Sequence, residues 1–455
     1  MNITLPKQYD FLPRFSRLVI TNILSNITIP LASLIAAAFL GHLPDIRHLA
    51  GVILASILFE YLYQVLACLR STTNGMTAQA VGEDDREAML LGGLRNGLIA
   101  LALGTLILTL HYPLGEMGFA LLSASKEVKD AGISYFNLRI WAAPAVALNF
   151  VLIGWFLGQQ MNGFVLLLTF VGNGANIVLA YLFIIQWGWE SAGAGLATAI
   201  SQYLSLLGGL ILVCFNIKWQ ELLTATQKIL DWSALKAAFI LNGNIFIRYV
   251  ALSSTLAIFT SLSSALGTTF LAENGLLMQV VELSLFVIQG VGYATSSLAG
   301  NFKGQGAYQQ LVSLLRLATV TSLFLALSIA LVCVFFPETV FGLLTNHAEI
   351  TEQIDSYVTW LIPVLCFSAT SLMLEGYFIG LTEGKVLRDS ALAAFGVGFA
   401  PMAIVAWYLH SNHILWLALA SYMAAITVLL GVQLLRTFGS YPVTIEPISD
   451  RPNSL

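Results

Sequence analysis

Few ionisable side chains interrupt the long apolar runs of this chain: Glu60, Arg248, Glu273, Glu282 and Glu375. Counting ~1.5 Å of helix rise per residue, Glu60 and Glu282 lie about 15 to 16 Å below one membrane surface and Arg248 about 18 Å above the other. All three sit near the midplane, while Glu375 lies roughly 9 Å above the inner surface by the same count and Glu273 falls close to the outer end of its run. A charge at such depth costs several kcal/mol unless it meets a cavity or a partner, so each is a candidate for moving ions or solutes. Arg248 and Glu282, at similar depths in consecutive runs, could neutralise each other as a structural pair. Glu60 has no evident basic partner at its depth, and an unpaired carboxylate there can serve as a proton carrier. Glu60, Glu282 and Glu375 are therefore the ion-coupling candidates.

Amides form a second constellation. Asn173 and Asn176, three residues apart, share a helix face, and Asn149, Gln202, Asn244, Asn274 and Gln289 continue the pattern in both halves. Such amides either glue membrane helices together or line a polar cavity, and residue types alone leave both open. Asn149, Asn173, Asn176, Gln202, Asn244, Arg248 and Gln289 are candidates for a substrate cavity. The six histidines (His42, His48, His111, His347, His410 and His413) fall on external loops or outer helix ends, so no imidazole is expected in a mid-membrane relay. Cys68, Cys214, Cys333 and Cys366 are far apart in apolar runs, which suggests neither a disulfide framework nor a zinc site. No Gly-rich loop ending in Gly-Lys-Ser/Thr appears, so ATP-driven transport by this chain is disfavoured. Neither a cofactor, a metal nor an enzymatic activity is expected.

The elements that must position these groups are membrane helices. The chain is 58% hydrophobic and 10% charged, with mean hydropathy +0.83, against roughly 25% charged residues in soluble domains. A span needs about 20 apolar residues, and twelve runs qualify: 18–40, 49–72, 90–112, 135–158, 163–186, 192–216, 236–262, 272–298, 311–336, 356–381, 390–410 and 413–436. The first is too long for a cleaved leader and reads as a retained span. Trp187, Trp189, Trp219 and Trp232 read as interfacial anchors. Most Lys and Arg, Lys7 and Arg451 among them, lie on one side if both termini are cytoplasmic; Arg47, Lys126, Lys129 and Arg139 lie outside and Arg248 stays in the membrane. With 20 basic against 24 acidic residues there is no basic field for nucleic acid. The bilayer is the expected surrounding, a multi-pass cell (inner) membrane the expected location, and a monomer the expected state.

The chain repeats. Trp141-Ala-Ala-Pro144 with Gly154-Trp-Phe-Leu-Gly158 returns as Trp360-Leu-Ile-Pro363 with Gly376-Tyr-Phe-Ile-Gly380, and Gln79-Ala-Val-Gly82 echoes Asn301-Phe-Lys-Gly304. A polar break near 217 to 235 divides the spans six and six, predicting lobes at 1–222 and 223–455. Six is even, so the repeats enter the membrane in parallel. Twelve helices in two parallel six-helix repeats make an all-α membrane protein, for which a secondary transporter working by alternating access is the default reading.

Further stretches carry a family resemblance: Ser25-Asn-Ile-Thr-Ile-Pro30 with Gly41-His-Leu43, Leu69-Arg-Ser-Thr-Thr with Thr77-Ala-Gln79, Gly172-Asn-Gly-Ala-Asn-Ile-Val-Leu179, Gly195-Leu-Ala-Thr198, and Gly376-Tyr-Phe-Ile-Gly380 with Arg388. They resemble the multidrug and toxic compound extrusion (MATE) transporters, in their DinF-like branch. The resemblance implies a V of two six-helix lobes around a central cavity, exporting small organic, often cationic, compounds against an inward flow of protons or sodium. It also places Asn149, Asn176 and Thr198 in a polar pocket. The aspartates usual in that branch are replaced by Ala36 and Ala180, and Gln202, Gln289 and Ser296 stand where acids often occur. Amides and alanines cannot bind and release a proton near neutral pH, so the coupling acid is expected to have moved, to Glu60 or Glu282. The competing expectations are an uncoupled or single-metabolite exporter, a lipid-linked flippase, which should have a more basic cavity than Arg248 alone supplies, and a transport-dead scaffold.

Overall fold

The computed structural model describes residues 9–122, 124–342 and 354–440; Lys7, His347 and Arg451 lie outside them. Each of the twelve apolar runs forms a helix: α1 Leu12–Gly41, α2 Arg47–Gly82, α3 Arg86–Thr109, α4 Lys126–Gly158, α5 Asn162–Gln186, α6 Glu190–Asn216, α7 Trp232–Leu266, α8 Thr268–Gly304, α9 Tyr308–Phe335, α10 Val358–Gly380, α11 Gly384–Leu409 and α12 Asn412–Thr437. Helices α2, α7 and α8 run to 36, 35 and 37 residues, well beyond the ~20 that a bilayer requires. A short helix, Trp219–Thr226, lies against α3 between the sixth and seventh spans.

The repeat is written into local geometry as well as sequence. In α4 a 3-10 turn, Ile140–Ala142, precedes Pro144; in α10 the turn Val358–Trp360 precedes Pro363. Proline lacks an N–H and crowds the carbonyl four residues back, so both helices tighten at the same place. Helices α5 and α11 each carry a π-helical segment, Tyr181–Gln186 and Ala394–Phe399.

The Gly-x-x-x-Gly pairs are close contacts. A Cβ on Gly154 would stand 2.4 Å from the Arg70 carbonyl oxygen of α2, and one on Gly376 would stand 2.6 Å from that of Gly292 of α8. Arg70 and Gly292 are 222 residues apart, as are Gly154 and Gly376. The same helix pair is thus built twice.

The halves meet at the bundle end that holds the start of α1. Asn22 and Asn26 of α1 donate to the Gly290 and Phe286 carbonyls of α8 at 3.4 and 3.0 Å, Ser297 donates to Asn74 at 3.0 Å, and Gln79 to the Gly380 carbonyl at 2.7 Å. At the centre of this seam a Cβ on Gly82 would lie 2.2 Å from Asn301 O, and one on Gly304 would lie 2.3 Å from Gln79 O. These four residues are the second sequence echo. Each half presents one patch to its copy in the other, as in a two-fold interface. The largest apolar core crosses the same seam, joining Leu66 and Leu69 to Ile288, Leu298 and Tyr377.

Candidate functional site

Away from the seam, α2 and α8 carry Glu60 and Glu282, both exposed. Their numbers differ by 222, the displacement that also relates Gly82 to Gly304 and Gln79 to Asn301. The two carboxylates are therefore equivalent positions of the repeat. Each lies thirteen to fourteen residues from the start of its helix, which is about 20 Å at ~1.5 Å per residue. They sit close enough for Glu282 to feel the charge of Glu60, and Tyr61 feels both. No ion pair engages either among the described residues. Both carboxylates are exposed and lie at equivalent positions of the two halves.

Arg248 does not pair with Glu282. Its Nη2 donates to Glu375 of α10, and both side chains are buried, 7% and 6% exposed. The guanidinium also stacks over Tyr249, 4.6 Å from the ring centroid. Glu375, a coupling candidate by sequence, is thus engaged in a buried pair in this conformation. Depth along a helix could not reveal this partner, because α7 and α10 are brought together by packing across 127 residues of chain.

The amides divide by half. Asn149 Nδ2 donates to the Gln202 backbone oxygen at 2.9 Å and to its side-chain oxygen at 3.0 Å, joining α4 to α6. Asn176 donates to Thr198 Oγ1 at 3.1 Å, joining α5 to α6. The buried Ala180 lies one turn beyond Asn176. Asn173 reaches across to Thr28 of α1 at 2.9 Å, next to the stretch leading to half-buried Ala36. Asn149 Oδ1 is buried with no partner among the described residues, an acceptor left open inside this cluster. In the second half, Asn244 is occupied by Arg388, whose Nη1 donates to it at 2.9 Å. Gln289 is half-buried on α8.

Sequence reasoning missed two guanidiniums. Arg139, expected outside the membrane, lies over the Phe59 ring with its Cζ 4.4 Å from the centroid, level with Glu60 in the next position of α2. Arg70, expected at the inner surface, is buried with its Cζ 3.7 Å above Tyr293 of α8, a cation–π contact across the seam. The spacing of Ser56, Phe59, Glu60 and Tyr63 was the available signal, since i, i+3, i+4 and i+7 share one helix face. Glu273 is fully buried with both carboxylate oxygens unpartnered among the described residues. No group of three or more His, Cys, Asp or Glu among those residues is placed to hold a metal ion.

The MatE family model matches residues 22–182 and again 244–405, once in each half. The DNA damage-inducible protein F of Escherichia coli K12 is 31% identical over 407 residues, covering 90% of this chain and 88% of its own. Multidrug export protein MepA of Staphylococcus aureus is 23% identical over 351 residues, 74% of each chain. A solved structure described as the outward-facing conformation of a multidrug resistance MATE family transporter superposes with a TM-score of 0.84 at 19% identity, covering 93% of this chain and 95% of the other.

Proposed function

The chain belongs to the MatE family of membrane transporters, and on that footing we propose that it exports small organic compounds by alternating access in antiport with protons or sodium. Its two halves, 1–222 and 223–455, are the rocking units, and with both termini cytoplasmic the seam closes the inner side while the gap opens outward. The multidrug descriptions of MepA and of the solved MATE transporter support the substrate class.

One observation carries the coupling site: Glu60 and Glu282 occupy equivalent positions of the repeat and lie in one another's field. Two like charges in one another's field, with Arg139 beside only one of them, favour the arrival of a counter-charge. A proton, a sodium ion or a cationic substrate would each satisfy them. Ion and substrate then compete for one pair of carboxylates, which is what antiport requires: the site returns loaded with one or the other. Separation of the halves at the seam and closure around the pair would expose it to the opposite side. Asn149, Asn176, Thr198 and Gln202 provide a polar wall in the first half that needs no titration of its own.

Uptake of a fluorescent organic cation into inverted vesicles under an imposed proton or sodium gradient tests this. Wild type should accumulate the dye, and Glu60→Gln or Glu282→Gln should reduce gradient-driven uptake at least tenfold. Uptake indifferent to both gradients and both substitutions would instead make the protein an uncoupled exporter, the reading that Ala36 and Ala180 favour.

A further inference from the structure

The carboxylate pair obeys the repeat, but the guanidinium beside it does not. Trp141 corresponds to Trp360 in the repeated motif, so the position equivalent to Arg139 is Val358. Arg139 crosses the α2 face that carries Glu60. Its Nη1 donates to Ser56 Oγ at 3.4 Å and to the Tyr135 hydroxyl, and its Cζ lies 4.4, 5.4 and 5.7 Å from the centroids of Phe59, Tyr135 and Tyr63. No carboxylate forms an ion pair with it among the described residues. Its Nε and the neighbouring Tyr63 hydroxyl are buried with no hydrogen-bond partner among the described residues.

Aromatic rings hold a cation by its face and accept few of its N–H donors. The other deeply placed guanidinium that meets a carboxylate, Arg248, is neutralised by Glu375, so the contrast lies within one protein. Arg139 lies in the field of Glu60 without forming an ion pair with it and keeps spare donors. A guanidinium fork matches a carboxylate in shape and charge, two parallel N–H donors to two oxygens.

We propose that Arg139 is a carboxylate-binding subsite of the transport cleft, so that the preferred substrates are amphoteric organic molecules. Their cationic centre sits between Glu60 and Glu282 on the pseudo-two-fold axis, and their carboxylate reaches sideways to Arg139. This rests on the transport reading above and adds to it a substrate class and a residue that selects it. Arg139 acts by direct contact with the ligand, and the Phe59, Tyr63 and Tyr135 rings keep its fork aimed.

The test uses two probes that differ in one group: a rhodamine with a free benzoate and its methyl ester. Binding of each to the purified full chain in detergent is read by fluorescence anisotropy, and gradient-driven uptake of each is read in proteoliposomes. A charge-assisted hydrogen-bonded contact corresponds to about tenfold or more in affinity. Wild type should therefore bind the acid about tenfold more tightly than the ester, Arg139→Gln should bring that ratio close to one, and Arg139→Lys, which keeps the charge but not the fork, should fall between the two. An acid-to-ester ratio that is the same in wild type and Arg139→Gln overturns the assignment, as does equal weakening of both dyes, which marks a purely structural arginine. If the binding ratio responds as expected but no gradient drives either dye, the subsite stands and the antiport reading falls.

Discussion

Asn149 and Asn274 are both buried amides that tie one membrane helix to another, yet they are bonded differently. Asn149 donates to Gln202 and leaves its own carbonyl oxygen unpartnered among the described residues. Asn274 donates to Ser263 at 2.8 Å and Asn412 at 2.7 Å and accepts from Asn412 at 3.1 Å and Trp416 at 2.8 Å, filling its bonding capacity. The guanidiniums repeat the contrast: Arg139 in the first half has a buried Nε without an acceptor among the described residues, while Arg248 in the second pairs with Glu375. The contrast belongs to these residues and not to every group of the second half: Glu273 and the Asn242 Oδ1, Ser296, Ser368 and Tyr422 oxygens are also buried there with no partner among the described residues. A transporter needs one wall that holds its shape and one that can bond a passing molecule. Here the filled amide Asn274 and the paired Arg248 lie in the α7–α12 half, and the open Asn149 and Arg139 in the α1–α6 half.

Breaking the Arg248–Glu375 pair should produce the largest effect. Arg248→Met leaves the Glu375 carboxylate buried and uncompensated, and should lower stability by about 3–5 kcal/mol in denaturant titration of the detergent-solubilised protein. The double change Arg248→Met with Glu375→Leu should recover most of that, because it removes the orphaned charge. A double variant as unstable as the single one would give the pair a role beyond mutual neutralisation.

Where the halves meet they should respond alike. Gly82→Ala and Gly304→Ala each drive a methyl group into a carbonyl oxygen of the opposite half, and each should cost about 1–3 kcal/mol by overpacking. Because the two contacts are equivalent, their costs should agree to within about 0.5 kcal/mol, the scatter expected of independent sites. Clearly unequal costs would mean that the seam is less symmetric in solution than its glycines indicate.

The smallest effects sharpen the contrast between the amides. Asn274→Ala strips partners from Asn412 and Trp416 and should cost about 1–3 kcal/mol, whereas Asn149→Ala removes an incompletely bonded group and should cost under about 1 kcal/mol. Transport should reverse the order once expression is normalised, with Asn149→Ala raising the KM for substrate more than Asn274→Ala does. Equal effects on both readouts would erase the distinction between wall and frame.

Much of this architecture is legible in the residues. Run length and composition fix twelve helices because a bilayer leaves few alternatives, and the Trp-Pro and Gly-x-x-x-Gly echoes mark the repeat that the 3-10 turns and glycine contacts build. Glu60 and Glu282 stand out because ionised groups are scarce in apolar runs. Partnerships are harder to read. The Arg248–Glu375 pair depends on which helices become neighbours, which hydropathy does not encode. Arg139 and Arg70 were misplaced because α2 and α4 are longer than a minimal span, so distance from the edge of an apolar run misjudges depth. The 3-10 turn after Arg139 further shifts the register by which its side chain meets α2.

The most direct test measures the affinity of the purified protein for an organic cation at stepped proton and sodium concentrations, in wild type and in the Glu60→Gln/Glu282→Gln double variant. Wild type should bind progressively more weakly as one of the two ions rises, approaching a tenfold loss per tenfold rise, as expected of competition for one site. In the double variant that dependence should vanish. A dependence on the same ion that survives loss of both carboxylates would contradict their role as the shared site and move the coupling group elsewhere in the protein.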